Sequence, residues 1–278
     1  MYEKRFAESQ RFATERVANL IHPTAIIDPS AELDPSVVVG AYSVIGAGVQ
    51  IGANTCIEPH VVIKGPTRIG ADNHIYQFAS LGDNPQDKKY AGEENTFLEI
   101  GDRNEIREYC TMNRGTVQGG GITKVGNDNW IMAYTHIAHD CIVGNHTIFA
   151  NGASAAGHVR IDDHVILGGF TGIHQFCWLG AHSFMGAGSI IFKDVPPYVM
   201  VWGNRAEPYG INKEGLKRRG FDNDTIGTLH QAYKLIYKKN LTTPQAIEQL
   251  TLLQQETHCE ALFPLVEFLQ HSTRGIVR

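Results

Sequence analysis

No apolar run in this 278-residue sequence approaches the roughly 18 residues of a membrane-spanning helix, and no signal-peptide core is visible. Its five cysteines, Cys56, Cys110, Cys141, Cys177 and Cys259, are odd in number and lack metal-type spacing, which predicts a reduced, cytoplasmic setting. Absent too are G-x-S-x-G, G-x-G-x-x-G on a strand-to-helix turn, and a Walker loop. Nothing therefore points to a serine nucleophile or a dinucleotide fold, and any nucleotide must be held by scattered loop residues. With 24 Lys/Arg against 29 Asp/Glu, a net charge of −5, the chain does not read as a general nucleic-acid binder.

What the sequence has in abundance is a six-residue period. Ile21, Ile27, Leu33, Val39, Ile45, Ile51, Ile57, Ile63, Ile69, Ile75 and Leu81 recur without a break. The series resumes at Ile100, Ile106 and Met112, and runs again from Val125 to Ile191. Small or β-branched residues stand two places earlier (Ala25, Val37, Ser43, Thr55, Ala79), and glycine often follows, as at Gly40, Gly46 and Gly52. Such a period predicts a triangular β-solenoid of about nine coils. Each hexad supplies one short strand and one corner, with Gly, Asn or Asp tolerating the corner's backbone.

Two frame breaks read as loops thrown out of the solenoid, 82–97 and 113–124, which carry Asp87, Lys89 and Arg114. Residues 1–18 read as a short polar N-terminal extension, 19–197 as the solenoid and 198–278 as a helical domain. Within the last, 198–211 reads as extended and loop-like. Helices follow over 211–221 with Asn212 as N-cap, 224–239, 242–256 and 259–271. Residues 205–278 hold 10 basic against 8 acidic residues, a mildly basic tail on an acidic body.

Three coils of one 18-residue repeat bring functional side chains near one another. His139 in THIAHD, His158 in AAGHV and Gln175 in GIHQF are expected to form one column. Asp140 can orient or stabilise a His139 imidazolium, which suits His139 as a general base toward a hydroxyl. His146, His164 and His182 are each 18 apart. Stacked rings on a flat face point outward in parallel, so a surface ladder is expected there ahead of a zinc site. Two functional classes remain open on the residues alone: a hexapeptide-repeat acyltransferase, and a metal hydrolyase of the β-helix carbonic anhydrase type. A purely structural solenoid is a weaker third, since it predicts neither special loops nor appended helices.

The runs IHPTAIID, IYQFASLGDNPQDKKYAGE, NRGTVQGGG, THIAHDC, AGHV, GIHQFC, KDVPPYV, INKEGLKRRGF and STRGIVR resemble the UDP-N-acetylglucosamine acyltransferase family, from about residue 21 to the C-terminus. The resemblance implies a left-handed parallel β-helix, a C-terminal helical domain and a homotrimer. It implies transfer of an (R)-3-hydroxyacyl group from acyl carrier protein to the 3-hydroxyl of UDP-N-acetylglucosamine, the first step of lipid A biosynthesis, with no metal and no organic cofactor. His139 becomes the base with Asp140 beside it, and Gly157 donates a backbone N–H to the oxyanion. Asp87, Lys89, His136, His158 and Gln175 match positions holding the sugar nucleotide and the polar end of the acyl chain. Asn212, Glu214, Arg218 and Arg219 match uridine and phosphate contacts. Ala187 falls on the acyl-length ruler position, where longer-chain enzymes have glycine, and predicts a preference below 14 carbons, near 12. Arg205 stands where histidine is common. Lys234, Lys238 and Lys239 offer a landing patch for the acidic carrier protein.

Overall fold

The computed structural model describes residues 20–92 and 95–278; the polar extension read over 1–18 lies outside them. Each hexad forms a two- to four-residue strand, and strands 18 positions apart pair in parallel, as Val44 with Val62 and Ile45 with Ile63. Three faces result, a left-handed parallel β-helix. The first face runs from Ile26–Ile27 to Ile190–Ile191, the second from Glu32–Leu33 to Trp178–Leu179, and the third from Val38–Val39 to Val199–Trp202. No helix among the described residues is long and apolar enough to cross a membrane.

The hexad aliphatics from Val39 to Ile191 all point inward and are buried, and the small residues two places earlier (Val37, Ser43, Thr55, Thr67, Ala79) share the prism interior. Each buried aliphatic contributes roughly 1.5–3 kcal/mol of gross burial, most of it offset by chain entropy. Ile21 departs from the pattern at 44% exposure, because no described coil lies beneath it.

The corners correct one reading. Glycine directly after the inward aliphatic is required by close stacking: a Cβ on Gly40 would meet Pro59 N at 2.5 Å, and one on Gly52 the Gly70 carbonyl carbon at 2.7 Å. Left-handed backbone falls two residues further on, at Tyr42, Asn54, His60, Asp72, Phe78, Asp140, His146, His158, His164 and His182 among others. None is β-branched, as the steric cost of positive φ demands. Stacked corner residues form ladders along the edges. Tyr42, His60, Phe78, Tyr109 and Tyr134 stack at 4.9–5.4 Å on the edge between third and first faces. His146, His164 and His182 stack at 4.9 and 4.7 Å, their planes nearly parallel, on the edge between second and third. The histidine ladder is thus a stack of parallel rings.

Residues 198–211 are not a loop. Val199–Trp202 adds to the third face beside Phe184–Met185, and Glu207–Ile211 turns back antiparallel to it. This hairpin supplies partners for backbone groups of the last coil. Helices α1 (Lys213–Arg218), α2 (Asn223–Tyr237), α3 (Thr243–Thr257) and α4 (Phe263–His271) follow. Asn212 caps α1 through Gly215 N–H, and Thr242 with Gln245 forms a capping box on α3. Their apolar stripes meet in a core of Leu216, Leu229, Leu250, Leu262 and Phe268.

Candidate active site

Both inserted loops leave the solenoid at the same edge, between the first and second faces. The strand Ser80–Asp83 runs two residues into the first, and Phe97–Ile100 resumes the coil. The second leaves after Thr111–Asn113 and returns in Ile122–Val125. Ile137, Ala155 and Ile173 end first-face strands on the next three coils, so His139/Asp140, Gly157/His158 and Gln175/Phe176 are the corner pairs of this edge.

The expected column therefore needs correcting by one residue. His139 stacks on Gly157, with Gln175 beyond, because a corner repeats every 18 residues; His158 belongs with Asp140 and Phe176. Its ring stacks on Phe176 at 4.5 Å. His139 and His158 nonetheless meet edge-to-face, centroids 5.1 Å apart, since they are diagonal neighbours on adjacent coils. Gly157 is glycine for a local reason: a Cβ there would lie 2.5 Å from His139 Cε1 and 2.6 Å from Nε2.

Asp140 is buried and fully engaged. Thr116 donates its N–H to Oδ1 (2.8 Å) and its hydroxyl to Oδ2 (2.7 Å), and His139 Nδ1 lies 2.8 Å from Oδ2. An ionised carboxylate only accepts, so Nδ1 carries the proton and Nε2 presents a lone pair over Gly157. The Asp140 N–H donates to Thr123 Oγ1 (2.8 Å). Gly119 closes over the carboxylate, with no room for a Cβ, which would lie 2.1 Å from Asp140 Cγ. The second loop thus carries the orienting shell of the His139–Asp140 pair. Thr116, Gly119 and Thr123 were not singled out from sequence; the frame break and the run NRGTVQGGG were the available signal.

Around this pair, His136 Nδ1 and Thr111 Oγ1 share a hydrogen bond of 2.7 Å. Burial, with the charge of His139, pushes the His136 imidazole below its usual value. His158 is also lowered, by burial first and His139 third; the carboxylates of Asp140 and Asp87 oppose this. Its Nε2 lies 3.7 Å from Asp140 Oδ2, beyond hydrogen-bond reach. In the first loop, Asp87 Oδ1 accepts the Lys89 N–H at 3.0 Å. Lys89 and Gln175 are exposed. Arg114 joins the two loops, bonding Gly65 O, Asn84 Oδ1 and Tyr90 Oη. The Gly157 N–H donates to no protein acceptor among the described residues, as is common at the first corner position of these coils.

The remaining candidates lie elsewhere in the chain. Asn212 Nδ2 donates to His182 O and Arg219 Nη2 to His164 O, both at 3.0 Å, which places α1 on the edge between second and third faces. Glu214 and Arg218 are exposed there. Arg219 is half-buried, lowered by desolvation, and its Nη1 is buried without a partner. Ala187 is exposed on the third edge, its N–H side packed over Gly168. That edge and the His139 edge border the same first face. Within the chain the histidine cluster, α1 and Ala187 therefore occupy three different edges.

His139, Asp140 and His158 could by composition hold a metal, so geometry alone leaves both chemistries open. Comparison with known proteins separates them. A family model described as Udp N-acetylglucosamine O-acyltransferase, domain 2, matches residues 194–277, and the bacterial transferase hexapeptide model matches 30–65 and 122–155. The chain is 54% identical over 206 residues to an acyl-[acyl-carrier-protein]--UDP-N-acetylglucosamine O-acyltransferase from Thiobacillus denitrificans, covering 74% of this chain and 79% of that protein. It superposes on the solved UDP-N-acetylglucosamine O-acyltransferase of Moraxella catarrhalis with a TM-score of 0.90 at 50% identity, covering 94% of this chain and all (100%) of that one. LpxA from Acinetobacter baumannii gives 0.90 at 53% identity with the same coverage, 94% and 100%. These relatives are acyltransferases, and the carbonic anhydrase reading is set aside.

Proposed function

We propose that this chain, which belongs to the UDP-N-acetylglucosamine O-acyltransferase family, moves an (R)-3-hydroxyacyl group from acyl carrier protein to the sugar 3-hydroxyl of UDP-N-acetylglucosamine with His139 as general base. The observation that carries the assignment is the buried Asp140–His139 pair, which leaves Nε2 free over Gly157. Nε2 takes the hydroxyl proton as the oxygen attacks the thioester carbonyl. The oxyanion of the tetrahedral intermediate accepts the uncommitted Gly157 N–H, a donor worth roughly 3–4 kcal/mol. The imidazolium, balanced by Asp140, returns the proton to the departing thiolate of the carrier. Asp140 positions and stabilises. Neither metal nor organic cofactor enters these steps.

His136, His158, Asp87, Lys89 and Gln175 ring the same edge and hold the sugar nucleotide and the polar end of the acyl chain. Two adjacent arginines, Arg218 and Arg219, suit a pyrophosphate, and the unpartnered Nη1 of Arg219 is available to one. Since α1 and His139 lie on different edges of one prism, a shared sugar-nucleotide site requires another copy, and a homotrimer closes that set. The first face offers the acyl chain a path of small outward residues (Ala156, Ser154, Gly172) toward Ala187. A methyl at 187 shortens that path by about one to two carbons, at ~0.8 kcal/mol per CH₂. Lys234, Lys238 and Lys239, all exposed, form the landing patch for the acidic carrier in the cytoplasm.

An acyl-transfer assay with a panel of carrier-protein thioesters compares the parent with His139→Ala. Loss of about 10²–10⁴ in turnover is expected for a general base. Retained turnover removes the assignment.

A further inference from the structure

On the third face, away from the acyl-transfer edge, we infer a zinc site formed by Cys56, Glu58 and His74. Cys56 and His74 are partners in adjacent parallel strands, and Glu58 follows Cys56 by two residues, so all three side chains project outward from one face. Their ligand atoms lie within 4.8 Å of one another. His74 Nε2 and Glu58 Oε1 are 3.1 Å apart, close to the roughly 3.3 Å that separates two ligands held 2.0–2.1 Å from a tetrahedral zinc. A thiolate ligand sits at about 2.3 Å, so side-chain rotation of about 1 Å brings Cys56 Sγ into the same shell.

The donor set selects the ion. Thiolate, imidazole and carboxylate together suit zinc, whereas magnesium and calcium take oxygen ligands. A thiolate and a carboxylate also balance a dication. The surroundings orient the donors and favour a cation. The His74 ring stacks on Tyr76 at 4.1 Å, and Tyr76 donates its hydroxyl to Glu105 (3.0 Å), the strand partner of His74. Arg107, the nearby cation, is committed to Glu108 and to the Tyr76 ring. The His74 and Glu58 side chains are 25% and 37% exposed, which leaves a fourth position open to water. No short cysteine–histidine motif reveals the site, because its ligands come from different coils. Bound zinc would tie adjacent coils together near the end of the solenoid where Ile21 is exposed, outside the acyl-transfer reaction.

The test is cobalt titration of untagged, chelator-stripped full-length protein. The parent should show a thiolate-to-cobalt charge-transfer band saturating at one equivalent and displaced by zinc. Cys56→Ser and His74→Gln should each lose it while keeping acyl-transfer activity, which shows that they fold. His139→Ala should keep the band, separating this site from the imidazole–carboxylate cluster on the other edge. No thiolate band in the parent, or equal zinc uptake by parent and Cys56→Ser, overturns the inference.

Discussion

Gly157→Ala tests the catalytic edge with a single methyl. The backbone there is not left-handed, so alanine is tolerated locally, but its Cβ would stand 2.5 Å from His139 Cε1 and 2.6 Å from Nε2. Ordinary contact needs about 3.4–3.5 Å or more, so the ring must shift by about 1 Å. A displacement of that size at a reacting group costs on the order of 10²-fold in rate. The same shift stretches the 2.8 Å bond to Asp140, a charged hydrogen bond worth about 1.5–3 kcal/mol. At about 2–4 °C per kcal/mol for a chain of this size, Tm should fall by several degrees without loss of the fold. Steady-state kinetics should show kcat reduced at least about 100-fold with KM for both substrates little changed, because the binding groups are other residues. A kcat within threefold of the parent would mean that His139 does not act from the position it holds over residue 157.

Thr116→Val keeps the side-chain shape but removes the hydroxyl that Asp140 accepts. It should cost about 1.5–3 kcal/mol in denaturant unfolding and lower kcat, since the Asp140 carboxylate that orients the His139 ring is held by one donor fewer. Ala187→Gly should shift the preferred donor from about 12 toward 14 carbons, by roughly 10-fold in the ratio of kcat/KM; equal or better rates with the 14-carbon donor in the parent would contradict the ruler. His182 is pushed down to about 4, by burial first and then by the neighbouring charges of His164 and Arg219, against Asp163. Its unfolded form takes up a proton near 6.5, so its contribution is intact above that pH and is lost as pH falls toward 4. Tm should drop across that window, and His182→Asn, which tolerates the left-handed corner, should flatten the drop.

The inward aliphatics could be read from sequence because a six-residue period is a local property: strand, corner and inward side chain repeat within each hexad. The His139–Asp140 adjacency was equally local. Stacking across the insertions was not, since Phe78, Tyr109 and Tyr134 share one ladder at separations of 31 and 25 residues. The 18-residue count itself puts Gly157, not His158, between His139 and Gln175; the structure adds that His158 turns left-handed and stacks on Phe176. The strand character of 199–211 was hidden because its partners lie on the finished third face.

Sequence by itself thus determined the prism, its three faces and the histidine-bearing coils, because each hexad decides locally which side chain points inward. Tertiary structure decided that both loops leave the same edge, that Thr116 and Gly119 enclose Asp140, and that α1 and Ala187 stand on other edges. Those are consequences of where coils land on one another after insertions of differing length, and contacts between distant coils leave no period in the sequence.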